Sequence, residues 1–358
     1  ELGTILHMDK GKKPQKQQEK YKEGYLPYVD IQAFEEGIIK SYADPQKCLL
    51  CEDGDLLIVC DGSRSGLTGR AIKGVVGSTL SKISADGLCT EYLQYFIQSK
   101  YTLLNTRKKG TGTPHLNAEL LKKSKLVIPT QTEQERIVSK IEELFSKLDA
   151  SVAELKTAKE KLKVYRQAVL KEAFDAVSES PRAKIQHICE YIIDCPHSTP
   201  KWTNAGKICL RTTNFKRGYL DLREKNYVSE ETFNARNSRL IPASGDVLYS
   251  REGAILGIAC IIPAGLSVCL GQRMMLLRTN EENFNRFLMH YLNSPAVTNY
   301  VASITGGSAS PHVNVRDIKN FLIPVPKLDV QKRTVLKIEE RISICDDSER
   351  SIDTAIQQ

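Results

Sequence analysis

Gly54-Asp55-Leu56-Leu57, followed by Asp61-Gly62 and Gly66, returns in the same register as Gly245-Asp246-Val247-Leu248, followed by Glu252-Gly253 and Gly257. A second block behaves the same way. Pro114-His115-Leu116-Asn117 matches Pro311-His312-Val313-Asn314. The match runs on through Pro129 and Pro326, Gln134 and Gln331, and Arg136 and Arg333 to Lys140-Ile141-Glu142-Glu143 and Lys337-Ile338-Glu339-Glu340. The offset is 191 residues in the first block and 197 in the second. Two ungapped blocks in the same order, with loops of different length between them, mark a tandem duplication.

Each half predicts a globular α/β module followed by a long helix. Residues 56–60 and 247–250 are short apolar runs bounded by Gly and Asp, the pattern of strands. Residues 91–100 and 285–293 space aromatics and leucines as a helix does. From Thr132 to about Ala176 there is neither Pro nor Gly, and helix formers dominate. Thr132 with Glu135 reads as a capping box at the start, and Ser180-Pro181 as the stop. Within this stretch Ile141, Leu148, Leu155, Leu162 and Val169 recur every seven residues, with Leu144, Val152, Ala158 and Tyr165 near the partner positions. That is a coiled-coil seam, on a rod of roughly 67 Å. The second helix, from Asp329 onward, shows Val335, Ile342 and Ile356 in one register and Ile338, Cys345 and Ile352 in the other; Glu349 interrupts the first. Two single seams in one chain are most simply satisfied by packing on each other.

The expected fold is therefore an α/β (α+β) tandem duplication, with two globular domains separated by long helices that pack as an antiparallel coiled coil. The expected boundaries are 1–131, 132–178, 179–327 and 328–358. A length of 358 residues exceeds a typical single core. A hydrophobic fraction of 41% excludes a disordered chain, and no apolar run approaches the roughly 18–20 residues of a membrane helix. Ten cysteines are too dilute for a disulfide scaffold, which points to a reducing, cytoplasmic setting. The chain opens without Met or a signal peptide and its second helix stops at Gln358, which reads as a truncated or naturally short form. The net charge of +8 is uneven. Residues 1–131 carry +4 and 179–327 carry +6, whereas 132–178 are neutral and 328–358 carry −2. The basic surplus lies on the modules and not on the rod, as a polyanion reader requires.

These residues resemble the specificity subunit of Type I restriction–modification systems. The likeness covers essentially the whole chain and rests on Gly-Asp-x-Leu with its Gly-containing continuation and on Pro-His-x-Asn. Ile128-Pro129 and Val325-Pro326 then enter a helix through a Gln-x-Arg step. The resemblance implies two target-recognition domains, each reading one half of a bipartite site in double-stranded DNA, and helices that set their spacing. It also implies docking of two methyltransferase subunits and, through them, restriction subunits. The chain itself would do no chemistry, need no cofactor or metal, and touch no membrane. A shortened second helix would leave the distal seam of the first exposed, which favours a homodimer when the chain is isolated. The alternative is a coiled-coil scaffold that binds protein without reading DNA.

Basic clusters near loop glycines are the candidate contacts: Lys10, Lys12 and Lys13; Arg64 and Arg70; Arg107, Lys108 and Lys109; and in the second module Arg211, Lys216, Arg217 and Arg251. The loops at 107–113 and 303–310 are rich in Gly, Ser and Thr, which suits phosphate oxygens. Base readers are expected among Arg64, Arg211, Asn214 and Arg251, because Arg suits guanine and Asn suits adenine. For Arg251, pairing with Glu252 or Asp246 is the competing reading. Asp55 and Asp246 follow a Gly at a strand start, so capping a turn outranks catalysis. His115 and His312 have no carboxylate partner at a suggestive spacing, and structural hydrogen bonding is expected of them. Gln134-x-Arg136 and Gln331-x-Arg333 could clasp the neighbouring module or a partner subunit. Cys48-Leu49-Leu50-Cys51 lacks the second pair a zinc site needs and reads as core-facing cysteines in a strand.

Every enzyme reading lacks its motif. There is no Gly-rich phosphate loop ending in Gly-Lys-Ser/Thr, no Asn-Pro-Pro-aromatic tetrad, no His-Glu-x-x-His and no Gly-x-Ser-x-Gly. Magnesium-dependent DNA cleavage by the purified chain is accordingly expected to be absent.

Overall fold

The computed structural model describes residues 1–109, 114–306 and 311–357. The chain divides into two compact units, Glu1–Ser151 and Val152–Gln358, and a 45-residue helix, Gln131–Asp175 (α1), runs through the division.

The first unit is built on strand Leu56–Val59, which is buried along its whole length. Its apolar run does not alternate because both faces are covered. Leu56 and Ile58 pack with Leu93 and Ile97 of helix Thr90–Ser99, while Leu57 and Val59 pack with Val29 and Val76 of a second sheet. The first sheet is antiparallel, in the order Leu6–Lys10, Leu80–Ala85, Leu56–Val59, Thr68–Arg70. The second runs Gln17–Gln18, Tyr42–Ala43, Leu26–Val29, Gly74–Val76, Leu50–Cys51, with one parallel pair between Leu26–Val29 and Gly74–Val76.

The second unit repeats this plan. Its antiparallel sheet runs Cys189–Asp194, Met274–Thr279, Val247–Ser250, Ala259–Ile261. The companion sheet runs Trp202–Thr203, Tyr227–Val228, Lys207–Leu210, Val268–Leu270, and the last two strands are again the parallel pair. Val247 and Tyr249 face the helix layer with Leu288 and Leu292, and Leu248 faces Leu210 and Val268. The tandem α/β duplication expected from the repeats is the architecture observed.

Within the second unit the last turns of α1 and the C-terminal helix Leu328–Gln357 (α2) complete the helix layer. Phe174 meets Phe287 and Tyr291 edge-on at 5.2 and 5.0 Å. The two helices run antiparallel: Lys159 pairs with Asp353 at 2.6 Å, Arg166 with Asp346 at 2.6 Å, and Arg341 with Glu172 at 2.8 Å. Val169, Val335 and Ile338 are buried in this seam, and Leu155, Leu162, Ile342 and Ile352 are half-buried. Glu349, which breaks the heptad, accepts from Lys159 at 3.4 Å and Arg166 at 2.9 Å, so an ion-pair cluster replaces an apolar contact there.

In the first unit the same heptad behaves differently. Ile141 is half-buried but Leu148 is 58% exposed, because that unit holds no second long helix for the seam to face. The start of α1 also shifts from the expected one: Thr130, not Thr132, accepts the Glu133 N–H, at 3.4 Å, and the helix begins at Gln131. At its other end α1 stops at Asp175, ahead of Ser180-Pro181. Among the described residues no helix is long and apolar enough to cross a membrane.

Candidate nucleic-acid interface

The repeated Gly-Asp step makes the same turn in both units. Gly54 lies at φ 87° and Gly245 at φ 89°, in the left-handed region that only glycine adopts freely. The following acid caps the turn, as expected: Asp55 accepts the Glu52 N–H and Asp246 the Ala243 N–H, each at 2.8 Å. Each acid also holds a cation from the neighbouring strand, Lys82 at 2.6 Å and Arg278 at 2.7 Å. Burial raises the Asp55 pKa, but the Lys82 and Glu52 hydrogen bonds outweigh it and hold the carboxyl below its ordinary range.

Pro-His-x-Asn docks against the loop that follows the buried strand. Pro114 accepts the Gly62 N–H at 2.8 Å and Leu116 donates to the Cys60 carbonyl at 2.7 Å. Pro311 and Val313 repeat this with Gly253 and Arg251, at 3.0 and 2.9 Å. The two sequence blocks therefore recur together because one is bonded to the other. His115 does have a carboxylate partner, since its Nδ1 lies 2.7 Å from Asp61, whose other oxygen accepts from Lys10 at 2.8 Å. In the second unit the backbone of His312 bridges Glu252. Single-module spacing hid this pairing, but Asp61 and Glu252 occupy the same place in the repeat.

The corner is shared but its charges are not. Lys10 stands opposite Ser81 and Asp194 opposite Met275, equivalent places on the two outer strands. Asp194 in turn binds Arg251 at 2.9 Å, and Arg251 also reaches Glu252 at 2.6 Å. The Arg251 side chain is only 6% exposed. Between its two expected readings, the structure places it in ion pairs, with Asp194 added to Glu252 and Asp246 left out.

The other candidates separate by exposure. In the first unit Arg64 pairs with Glu35, and Arg70 with Glu91 at 2.8 Å. Lys12, Lys13, Arg107 and Lys109 are exposed, and Lys108 donates to the Ser63 carbonyl at 2.6 Å. None of these five has an ion pair among the described residues, while positions 110–113 and 307–310 of the Gly/Ser/Thr loops lie outside them. In the second unit Arg211 is exposed and lies over the Trp202 ring, 5.4 Å from its centroid. Lys216 is half-buried, and Arg217 is exposed overall while donating to the Asn293 carbonyl at 3.3 Å. Asn214 is buried and hydrogen-bonds only backbone, so it presents no amide to a base in this arrangement.

Gln134 and Gln331, left open by the sequence, clasp their own modules. The buried Gln134 accepts the Cys89 N–H at 2.8 Å and donates to the Gly87 carbonyl at 2.7 Å and the Pro129 carbonyl at 3.0 Å. Gln331 accepts the Phe284 N–H at 2.8 Å and donates to Pro326 at 2.9 Å. Arg136 and Arg333 point outward and pair with Glu133 and Asp329 on their own helices. Of the Cys-x-x-Cys pair, Cys51 is a buried strand residue whose thiol burial pushes up to about 11. Cys48 is half-buried in a turn and not in a strand, donating to the Asp44 carbonyl at 3.4 Å. Among the described residues no cluster of His, Cys, Asp and Glu is placed to hold a metal.

The Type I restriction modification DNA specificity domain matches this chain twice, over residues 1–161 and 185–358. The chain belongs to that family. Relatives include the Type I restriction enzyme MjaVIII specificity subunit of Methanocaldococcus jannaschii, 24% identical over 351 residues, covering 92% of this chain and 82% of the relative. The EcoBI specificity subunit of Escherichia coli is 20% identical over 331 residues, or 84% of this chain and 69% of the relative. In structure, the HsdS subunit of Thermoanaerobacter tengcongensis superposes with a TM-score of 0.59 at 20% identity, covering 99% of this chain and 92% of that one. A chain from work on complex assembly and conformational transition of the type I R-M system gives 0.65 at 18% identity, covering 100% and 95%. Both share the fold of this specificity-family chain.

Proposed function

We propose that this specificity-family chain reads a bipartite, asymmetric DNA site, each module taking one half. The observation that carries the reading is a scaffold kept in duplicate while its polar fittings diverge. The Lys10–Asp61 corner of one unit becomes Asp194–Arg251–Glu252 in the other. Two identical readers would call for a symmetric site; two unlike readers call for an asymmetric one. Lys12, Lys13, Arg107, Lys108, Lys109, Lys216 and Arg217 supply mainly phosphate contacts, and the basic surplus of both modules supports this. The working boundaries are 1–131 and 179–327 for the readers and 132–178 and 328–358 for the helices. On the outer faces of the helices Val164, Leu336 and Ile344 stay more than 60% exposed, which suits docking of methyltransferase subunits and, through them, restriction subunits. The chain is a non-catalytic, cytoplasmic component of that assembly, and the exposed Leu144 and Leu148 favour self-association when partners are absent.

The test is selection of bound sequences from randomised duplex across a salt titration, using the chain alone and reconstituted with modification subunits. A gapped two-part motif, with affinity that falls steeply with salt, is the expected result. No enrichment at any salt in either form contradicts it and returns the chain to a protein-binding scaffold.

A further inference from the structure

Building on that DNA-reading proposal, we infer that Arg211 is the specificity-determining side chain of the second module, reading a guanine in its half-site, and that Asn214 and Trp202 position it. The duplication locates it. Val29 pairs with Val76 and Leu210 with Leu270 in the two parallel strand pairs. Each pair is followed by a glycine, Gly77 or Gly271, where a Cβ would collide with the carbonyl of Val29 or Leu210. The backbone is thus held alike in both units, and the next residue is Asp30 in one and Arg211 in the other. A position fixed in backbone and changed in chemistry is where two readers on one scaffold differ.

Arg211 is also prepared for the task. Buried Asn214 accepts the Arg211 N–H through Oδ1 at 2.9 Å and donates its own N–H to the Arg211 carbonyl at 2.9 Å. Its Nδ2 is anchored on the carbonyls of Asp221 and Glu224, at 3.0 and 2.9 Å. Trp202, on the edge strand and 39% exposed, lies 5.4 Å from the guanidinium carbon. A guanidinium stacked on an aromatic ring loses less freedom when it makes two parallel hydrogen bonds, and the two acceptors of guanine in the major groove fit that fork. Among the four residues expected to read bases, Arg64 and Arg251 are paired to carboxylates and Asn214 is buried. Arg211 alone of them is exposed with no ion pair among the described residues.

The experiment repeats the randomised-duplex selection on the full chain with wild type, Arg211→Lys, Arg211→Gln, Trp202→Ala and Trp202→Phe, each with its thermal unfolding recorded. Arg211→Lys is expected to keep the first half-motif and lose one guanine from the second. Affinity for the wild-type site should fall about tenfold to a hundredfold, with little change on duplex lacking that guanine. Trp202→Ala should weaken the same preference, and Trp202→Phe should restore most of it. An unchanged motif in both Arg211 variants overturns the inference. So does a uniform loss of affinity with a shallower salt dependence, the signature of a phosphate contact. If wild type itself yields no motif, the DNA-reading proposal falls and this inference with it. A wild-type motif that survives in the variants removes this inference alone.

Discussion

Asp61 shows how much one carboxylate can organise. Burial raises its pKa, but hydrogen bonds from Lys10 and His115 outweigh that and hold it below the usual range. A depressed carboxyl adds stability that is complete above its unfolded value near pH ~4 and is lost as pH falls through the folded value. Asp61→Asn should therefore be less stable than wild type at pH 7, by about 1–2 kcal/mol, and the gap should close below about pH 4. Denaturant unfolding at pH 7 and pH 3 checks this; a gap that widens in acid would contradict it. Gln134→Leu removes three hydrogen bonds and leaves backbone groups unpaired in a buried site. A loss of about 2–4 kcal/mol is expected, read as a lowered thermal midpoint, with Arg136→Ala near neutral. The turn-capping role of Asp55 and Asp246 was legible from the Gly-Asp step. The burial of Asn214 and the pairing of Arg251 with Asp194 were not. The Arg251 pairing joins two segments far apart in the chain, and Asn214 is turned inward by the irregular loop that runs from Arg211 to Glu224, neither of which residue spacing encodes.

The helices show the same division between local and distant information. The heptad spacing along α1 marks its seam, yet the same spacing is buried at Val169 and open at Leu148. Only the presence of α2 in the second unit makes the difference. Ile338→Ala should cost about 2–4 kcal/mol through the cavity it leaves, whereas Leu148→Ala should change the unfolding midpoint little. Equal effects at both positions would mean that the seam is packed along its whole length. Glu349 looked like a flaw in the heptad because a heptad count sees apolar contacts alone. Its ion pairs with Lys159 and Arg166 are exposed enough to be salt-sensitive.

For the chain as a whole, the tandem repeat fixed the fold class, because two ungapped blocks cannot recur in order without two similar scaffolds. What the repeat could not convey is where the two scaffolds differ in charge. The Lys10-to-Asp194 and Asp30-to-Arg211 exchanges emerge only when strand registers are aligned. On the proposed reading those exchanges would give the two modules different half-sites, and independence of the modules as readers is its central claim. It is tested most directly by replacing residues 1–131 with the corresponding module of another family member and selecting bound sequences from randomised duplex. The expected result is a new first half-motif beside an unchanged second half-motif and an unchanged gap. A change in both halves would contradict the claim that each module reads on its own.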